Sequence, residues 1–216
     1  MTDLPPSGTG PLYPVNLRLA GRSVLVVGGG RVATHKVAEL LHCGARVTVV
    51  APRIEAALRD DPRLTCEERA YRAGEAAGHR FVVAATDDPA VNQAVFDDGE
   101  AAGVWVNAAD DPERCSATLP ARLRRGSLLL TVATEGRSPA LASWLRGRLE
   151  EEVGPEYAVL LDVLAAERDR IRAQGRSTEG LDWKGALGSG MLEEIRAGRI
   201  DAAKEVLRAC LSSSSA

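Results

Sequence analysis

Three consecutive glycines, Gly28, Gly29 and Gly30, run into Arg31, Val32 and Ala33. Gly28, Gly30 and Ala33 occupy the small-residue positions of G-x-G-x-x-G/A, a turn that seats a dinucleotide. The first small residue permits a sharp turn, the second lets the backbone approach a pyrophosphate, and the third lets a helix lie close against a strand. Phosphates would rest on the free N–H groups and positive dipole end of a helix starting near Arg31. Glycine-rich turns also occur without a nucleotide in unrelated α/β domains, so the flanking elements decide the reading.

Those elements fit. Ser23 to Val27 is apolar and β-branched, and helical spacing resumes at Val32, Lys36, Val37, Leu40 and Leu41. Gly44 stands where a C-cap would, and Arg46 to Ala51 forms a second strand, stopped by Pro52. Leu64 to Ala70 is a candidate third strand and Phe81 to Ala85 a fourth. A helix follows over about Ala90 to Ala102 with Pro89 at its first position, then a fifth strand over Val104 to Ala108. This alternation predicts a parallel, doubly wound sheet, with Tyr13 to Ala20 leading into its edge. Beyond Pro112 the rhythm changes. Ala117 to Arg124 and Ser127 to Thr134 read as a hairpin around Arg125-Gly126, with Pro120 marking an edge. A helix starts at Pro139, and Glu156 to Ala209 is helical with glycine breaks. The predicted class is α/β, a Rossmann-like parallel sheet domain (1–112) followed by a small α+β segment (113–152) and a helical C-terminal tail (153–216).

In such sheets ligands sit at the carboxyl ends of the strands. This selects Gly28 to Val32, Ala51 to Arg53, Thr86 to Asp88 and Asn107 to Asp111. An acid that would hold ribose hydroxyls is missing after the second strand, where Pro52 and Arg53 stand, and Arg53 would suit a 2′-phosphate. Asp110 and Asp111 sit where a substrate would meet the reactive end of the nucleotide; either is able to accept a proton, although Asp before Pro112 is also ordinary turn chemistry. From Glu113 to Glu150 seven arginines (Arg114, Arg122, Arg124, Arg125, Arg137, Arg146, Arg148) face three acids (Glu113, Glu135, Glu150). This is either a solvated basic face or a cradle for a polyanionic small molecule. Ser138 is either a substrate contact or the N-cap ahead of Pro139.

The formal net charge of −3 over 216 residues argues against a nucleic-acid or membrane-surface role. Met1 to Pro14 lacks the apolar core of a signal peptide, and no run of eighteen apolar residues is present. Cys43, Cys66, Cys115 and Cys210 are scattered without metal-ligand spacing, consistent with reduced thiols in a cytoplasmic protein and no metal site. Neither His35 nor His79 has a partner assignable from sequence.

Five motifs in order, Gly28 to Lys36, Gly44 to Pro52, Ala84 to Asn92, Val106 to Asp110 and Thr131 to Ala142, resemble the precorrin-2 dehydrogenase family, the siroheme synthase N-terminal module, some of whose members are also sirohydrochlorin ferrochelatases. The resemblance covers about Tyr13 to Glu151. It implies NAD-dependent oxidation of precorrin-2 to sirohydrochlorin in a homodimer whose second segment exchanges contacts across the two-fold axis. It also implies Asp110 as the catalytic carboxylate and NAD contacts on Gly28, Gly29, Gly30, Arg31, Val32, Pro52 and Arg53. Ala33, Thr86 and Asn107 complete the expected cofactor set. Expected on the substrate side are Thr134, Gly136, Arg137 and Ser138, Thr134 standing where some relatives carry serine. The polycarboxylate substrate suits the arginine excess. Family members differ in iron insertion, which stays open. The rival reading is a non-catalytic NAD-binding module that reports redox state through its helical tail.

Overall fold

The computed structural model describes residues 11–109 and 111–213. The chain divides into two compact units between Leu119 and Pro120.

The first unit is built on a five-stranded, all-parallel sheet. Its elements are β1 (Ser23–Val27), α1 (Arg31–His42), β2 (Arg46–Ala51), the short α2 (Ala56–Arg59), β3 (Leu64–Glu68), β4 (Phe81–Ala84), α3 (Pro89–Ala102) and β5 (Trp105–Ala108). The strand order β3-β2-β1-β4-β5 reverses direction beside β1. That is the topological switch point, where a crevice opens at the strand ends. β1 reads as an unbroken apolar run because both of its faces are covered. Val24 and Val26 join Ala33, Val37 and Leu40 of α1 in one core layer. Leu25 and Val27 join Val82, Val95 and Val106 in the other.

The helix ends follow their local chemistry. At the C-terminus of α1, Gly44 takes a φ of 73° and its N–H bonds to Leu41 O (2.9 Å) while Ala45 N–H bonds to Leu40 O (3.0 Å), a Schellman closure. At the start of α3, the Asp88 carboxylate accepts from Ala90 N–H with Pro89 in the first turn. The segment over Tyr13 to Ala20, expected to lead into the sheet edge, approaches β1 without regular structure: residues 11–19 are irregular. Leu19 alone is buried in the α1 core layer, and a reverse turn returns Arg22 N–H to Leu19 O.

The second unit holds the hairpin β6 (Ala121–Arg125) and β7 (Leu128–Val132), then α4 (Pro139–Glu152), α5 (Glu156–Ala173), α6 (Trp183–Leu187), α7 (Met191–Arg196) and α8 (Ile200–Ser213). The hairpin is shorter at both outer ends than the apolar run suggests, leaving Pro120 and Thr134 outside the ladder. Leu160, Val163, Ile171, Met191, Ile195 and Leu207 form the core of the α5–α8 bundle. Among the described residues no helix is long and apolar enough to cross a membrane.

Candidate functional site

A crevice of about 900 Å³ lies at the carboxyl ends of β1, β2 and β4. Gly28 to Val32, Pro52, Arg53 and Thr86 line it, together with Glu55, Tyr71 and Val91. The three glycines differ in what they do. Gly28 has a φ of 127°, and a Cβ there would overlap the Ala85 carbonyl. Gly29 packs against the loop after β2, where an added Cβ would lie 2.8 Å from Ile54 Cα and overlap the Arg53 carbonyl. Both are buried, so they set how tightly the β1 turn fits its neighbours. Gly30 is exposed, and a Cβ there would meet only Glu55 Oε1, at 4.0 Å. Its missing side chain keeps the crevice floor open.

Gly30 is also the N-cap of α1. No side chain caps this end and no acid lies in its first turn. The first N–H groups of a helix have no partner within it, so they face the crevice with the positive end of the dipole. Arg31 and Arg53 stand exposed beside them. These features fit a pyrophosphate: an open floor, unsatisfied donors and positive charge. Ala33 is fully buried against the sheet, which is the close helix contact its small side chain permits.

Thr86 holds the β4–α3 turn. Its hydroxyl donates to Asn92 Oδ1 (2.8 Å) and accepts from Asp88 N–H (3.2 Å), so its place on the crevice wall is fixed from behind. Asn107, expected at the cofactor, is 6% exposed and does not line the crevice. Its amide donates to Ala117 O (3.0 Å), and its Oδ1 is buried without a partner among the described residues. The side chain thus braces the segment that follows β5.

Several other contacts hold that segment. The Cys115 thiol donates to the Ala108 and Asp111 carbonyls (both 3.2 Å), and burial pushes its pKa up, keeping it a protonated donor. Arg114 forms an ion pair with Asp111 and donates to Gln93 Oε1 (2.6 Å) on α3. Of the two candidate bases, Asp111 is therefore committed to a guanidinium. Asp110 lies outside the described residues.

In the second unit, Thr134 to Ser138 forms a turn with two left-handed residues, Glu135 (φ 53°) and Gly136 (φ 74°). The Thr134 hydroxyl donates to Ser138 O (3.1 Å) and accepts from Ser138 N–H (3.2 Å). Ser138 Oγ caps α4 by accepting from Leu141 N–H. The N-cap use of Ser138 is therefore realised. Arg137 is exposed at the tip of this turn. The arginine excess divides: Arg125 and Arg146 pair with Glu150, and Arg148 lies 3.9 Å from Glu151 and 6.0 Å from the Trp144 ring centre. A helix-surface network absorbs part of the charge.

Tyr71 was not legible in sequence as a crevice residue because it lies in an irregular loop. Burial and then its hydrogen bond to Asp98 (2.6 Å) push the phenol pKa well above its usual range, so it stays neutral. The Arg114–Asp111 pair did leave a signal, opposite charges three residues apart.

A family model described as "Putative NAD(P)-binding" matches residues 15–121. Siroheme synthase from Nitrosococcus oceani is 36% identical over 203 residues, covering 92% of this chain and 43% of that protein. Siroheme synthase from Azotobacter vinelandii is 42% identical over 164 residues, covering 74% of this chain and 34% of that protein. The chain thus spans less than half the length of these curated relatives. The solved structure of SirC, precorrin-2 dehydrogenase, is 29% identical with a TM-score of 0.68 and matches 94% of this chain and 98% of its own. On these likenesses the chain belongs to the precorrin-2 dehydrogenase family, which includes the siroheme synthase module.

Proposed function

We propose that this protein oxidises precorrin-2 to sirohydrochlorin with NAD as the oxidant. The observation that carries the reading is the likeness to SirC over nearly the whole of both chains, in a molecule whose Gly30 crevice fits a dinucleotide. Bound NAD supplies the two-electron acceptor. The chain's own residues do the rest. The α1 N-terminus, Arg31 and Arg53 bind the phosphates and ribose side, and Gly28, Gly29 and Ala33 hold the turn that presents them.

Asp110 takes the proton that leaves the substrate as it is oxidised. Support comes from its neighbour, because Asp111 is neutralised by Arg114 while the 112–117 turn is fixed by Asn107 and Cys115. Arg137 holds a carboxylate arm of the tetrapyrrole, and the Thr134–Ser138 hydrogen bonds keep that turn in place. The protein acts as a cytoplasmic homodimer. Leu141 (47% exposed) and Trp144 (61%) on α4 provide apolar surface that suits a second copy.

Production of sirohydrochlorin from precorrin-2 and NAD tests the reading. Tight NAD binding without oxidation would favour the redox-sensing alternative. Ferrochelation is a separable activity within the family, read from the Soret band when Fe²⁺ or Co²⁺ is added to sirohydrochlorin with and without the protein.

A further inference from the structure

The amino-terminal end of the parallel sheet has a groove of its own, at the opposite ends of the strands from the crevice. Its volume is about 560 Å³, and its walls include Arg18 and Arg22 before β1, His79 and Arg80 before β4, and Trp105 at the start of β5. Arg18, Arg22 and Arg80 are exposed, and among the described residues none of them forms an ion pair. This sets them apart from Arg63, Arg69, Arg196 and Arg199, each of which closes on a carboxylate. Trp105 is 52% exposed, although Val106, Asn107 and Ala108 beside it on β5 are buried. His79 shares a hydrogen bond with Ser23 Oγ (2.9 Å), and burial lowers its pKa, so the groove's charge is carried by the three guanidinium groups.

Three unneutralised cations around one concavity repel one another, and an anion among them relieves that repulsion. Their concentration is notable in a chain of net charge −3. The groove has the volume of a small-molecule site rather than the flatness of a protein interface. Guanidinium forks match carboxylates and phosphates, and an open indole face offers stacking to a flat ring. We propose that this groove is a second ligand site, distinct from the dinucleotide crevice, that takes a small flat polyanion: an aromatic or macrocyclic plane carrying two or more phosphate or carboxylate groups. The inference is independent of the dehydrogenase reading. A nucleoside triphosphate and a polycarboxylate porphyrin share this chemistry.

The test titrates the full chain, at saturating NAD to fill the crevice, with ATP, uroporphyrin and inorganic pyrophosphate, by calorimetry and tryptophan fluorescence. At least one flat polyanion is expected to bind more tightly than pyrophosphate, and whichever binds identifies the source. Combined Arg18→Gln, Arg22→Gln and Arg80→Gln changes should weaken it at least about tenfold through lost charge-assisted bonds, and Trp105→Phe should remove most of the fluorescence change. NAD affinity and melting temperature should be unchanged in both variants, which separates a lost groove from a lost fold. No binding of either flat polyanion, binding undiminished in the triple variant, or pyrophosphate binding as tightly as both would overturn the proposal.

Discussion

Replacing Gly30 by alanine isolates the phosphate seat from the fold. Gly30 adopts φ −97° and ψ −167°, which alanine tolerates, and its new Cβ would find only Glu55 Oε1 at 4.0 Å. Alanine is a poorer N-cap than glycine by roughly 0.5–1 kcal/mol, but it also lowers unfolded-state entropy by about 0.4–1 kcal/mol. These offset, so the melting temperature should move by no more than about 3 °C. Affinity should fall far more, because the methyl group fills the floor that a pyrophosphate must cross to reach the α1 N–H groups. Losing two charge-assisted hydrogen bonds at about 1–2 kcal/mol each gives about 30-fold or more in Kd. Calorimetric NAD titration alongside thermal unfolding reads both quantities. Gly29→Ala provides the contrast, since its Cβ would collide with backbone at Arg53 and Ile54 and cost about 1–3 kcal/mol of stability. Unchanged NAD affinity in a folded Gly30→Ala variant would refute the assignment of this turn to the phosphates.

Three further outcomes follow from the structure. Asp111→Asn should retain more turnover than Asp110→Ala while loosening the Arg114 contact, and steady-state rates compare them; equal loss in both would remove the distinction drawn from the Arg114 pair. Glu167, 5% exposed, accepts hydrogen bonds from Arg170 (2.5 Å) and Arg208 (3.3 Å), and the Arg170 bond, ahead of that to Arg208, holds its carboxyl below the ordinary 4.5. A depressed folded-state pKa stabilises above the unfolded value, and the benefit is lost as pH falls through the folded one. Glu167→Gln should therefore destabilise by about 1–2 kcal/mol at neutral pH, given half-exposed partners, with the gap from wild type closing below about pH 4.5 in denaturant titrations. Trp144→Glu on α4 should shift the protein from dimer to monomer by light scattering, whereas a wild-type dimer would place the interface elsewhere.

Much of the fold was legible because its signals are local. The β-branched runs from Ser23 to Val27 and Arg46 to Ala51 have no other stable use, and Gly44, Asp88 and Pro89 mark helix ends through their own backbone chemistry. Tyr13 to Ala20 alternates apolar and other residues, yet Tyr13, Val15 and Leu17 stay exposed and only Leu19 finds the core, because burial depends on which elements become neighbours. At the candidate site, the positions of Gly28 to Val32, Pro52, Arg53 and Thr86 followed from strand ends and topology. The uses of side chains did not. Asn107 turns to the segment after β5, Arg125 and Arg146 spend their charge on Glu150, and Tyr71 reaches the crevice from an irregular loop. Such pairings depend on which distant elements become neighbours, and no local pattern encodes that.

The most direct measurement is anaerobic turnover of precorrin-2 with NAD, following sirohydrochlorin and NADH together in wild type and in Asp110→Ala. Equimolar appearance of both products in wild type, and loss of both in the variant with NAD affinity retained, is the expected result. Wild-type protein that binds NAD yet forms neither product, or a variant that turns over at the wild-type rate, would contradict it.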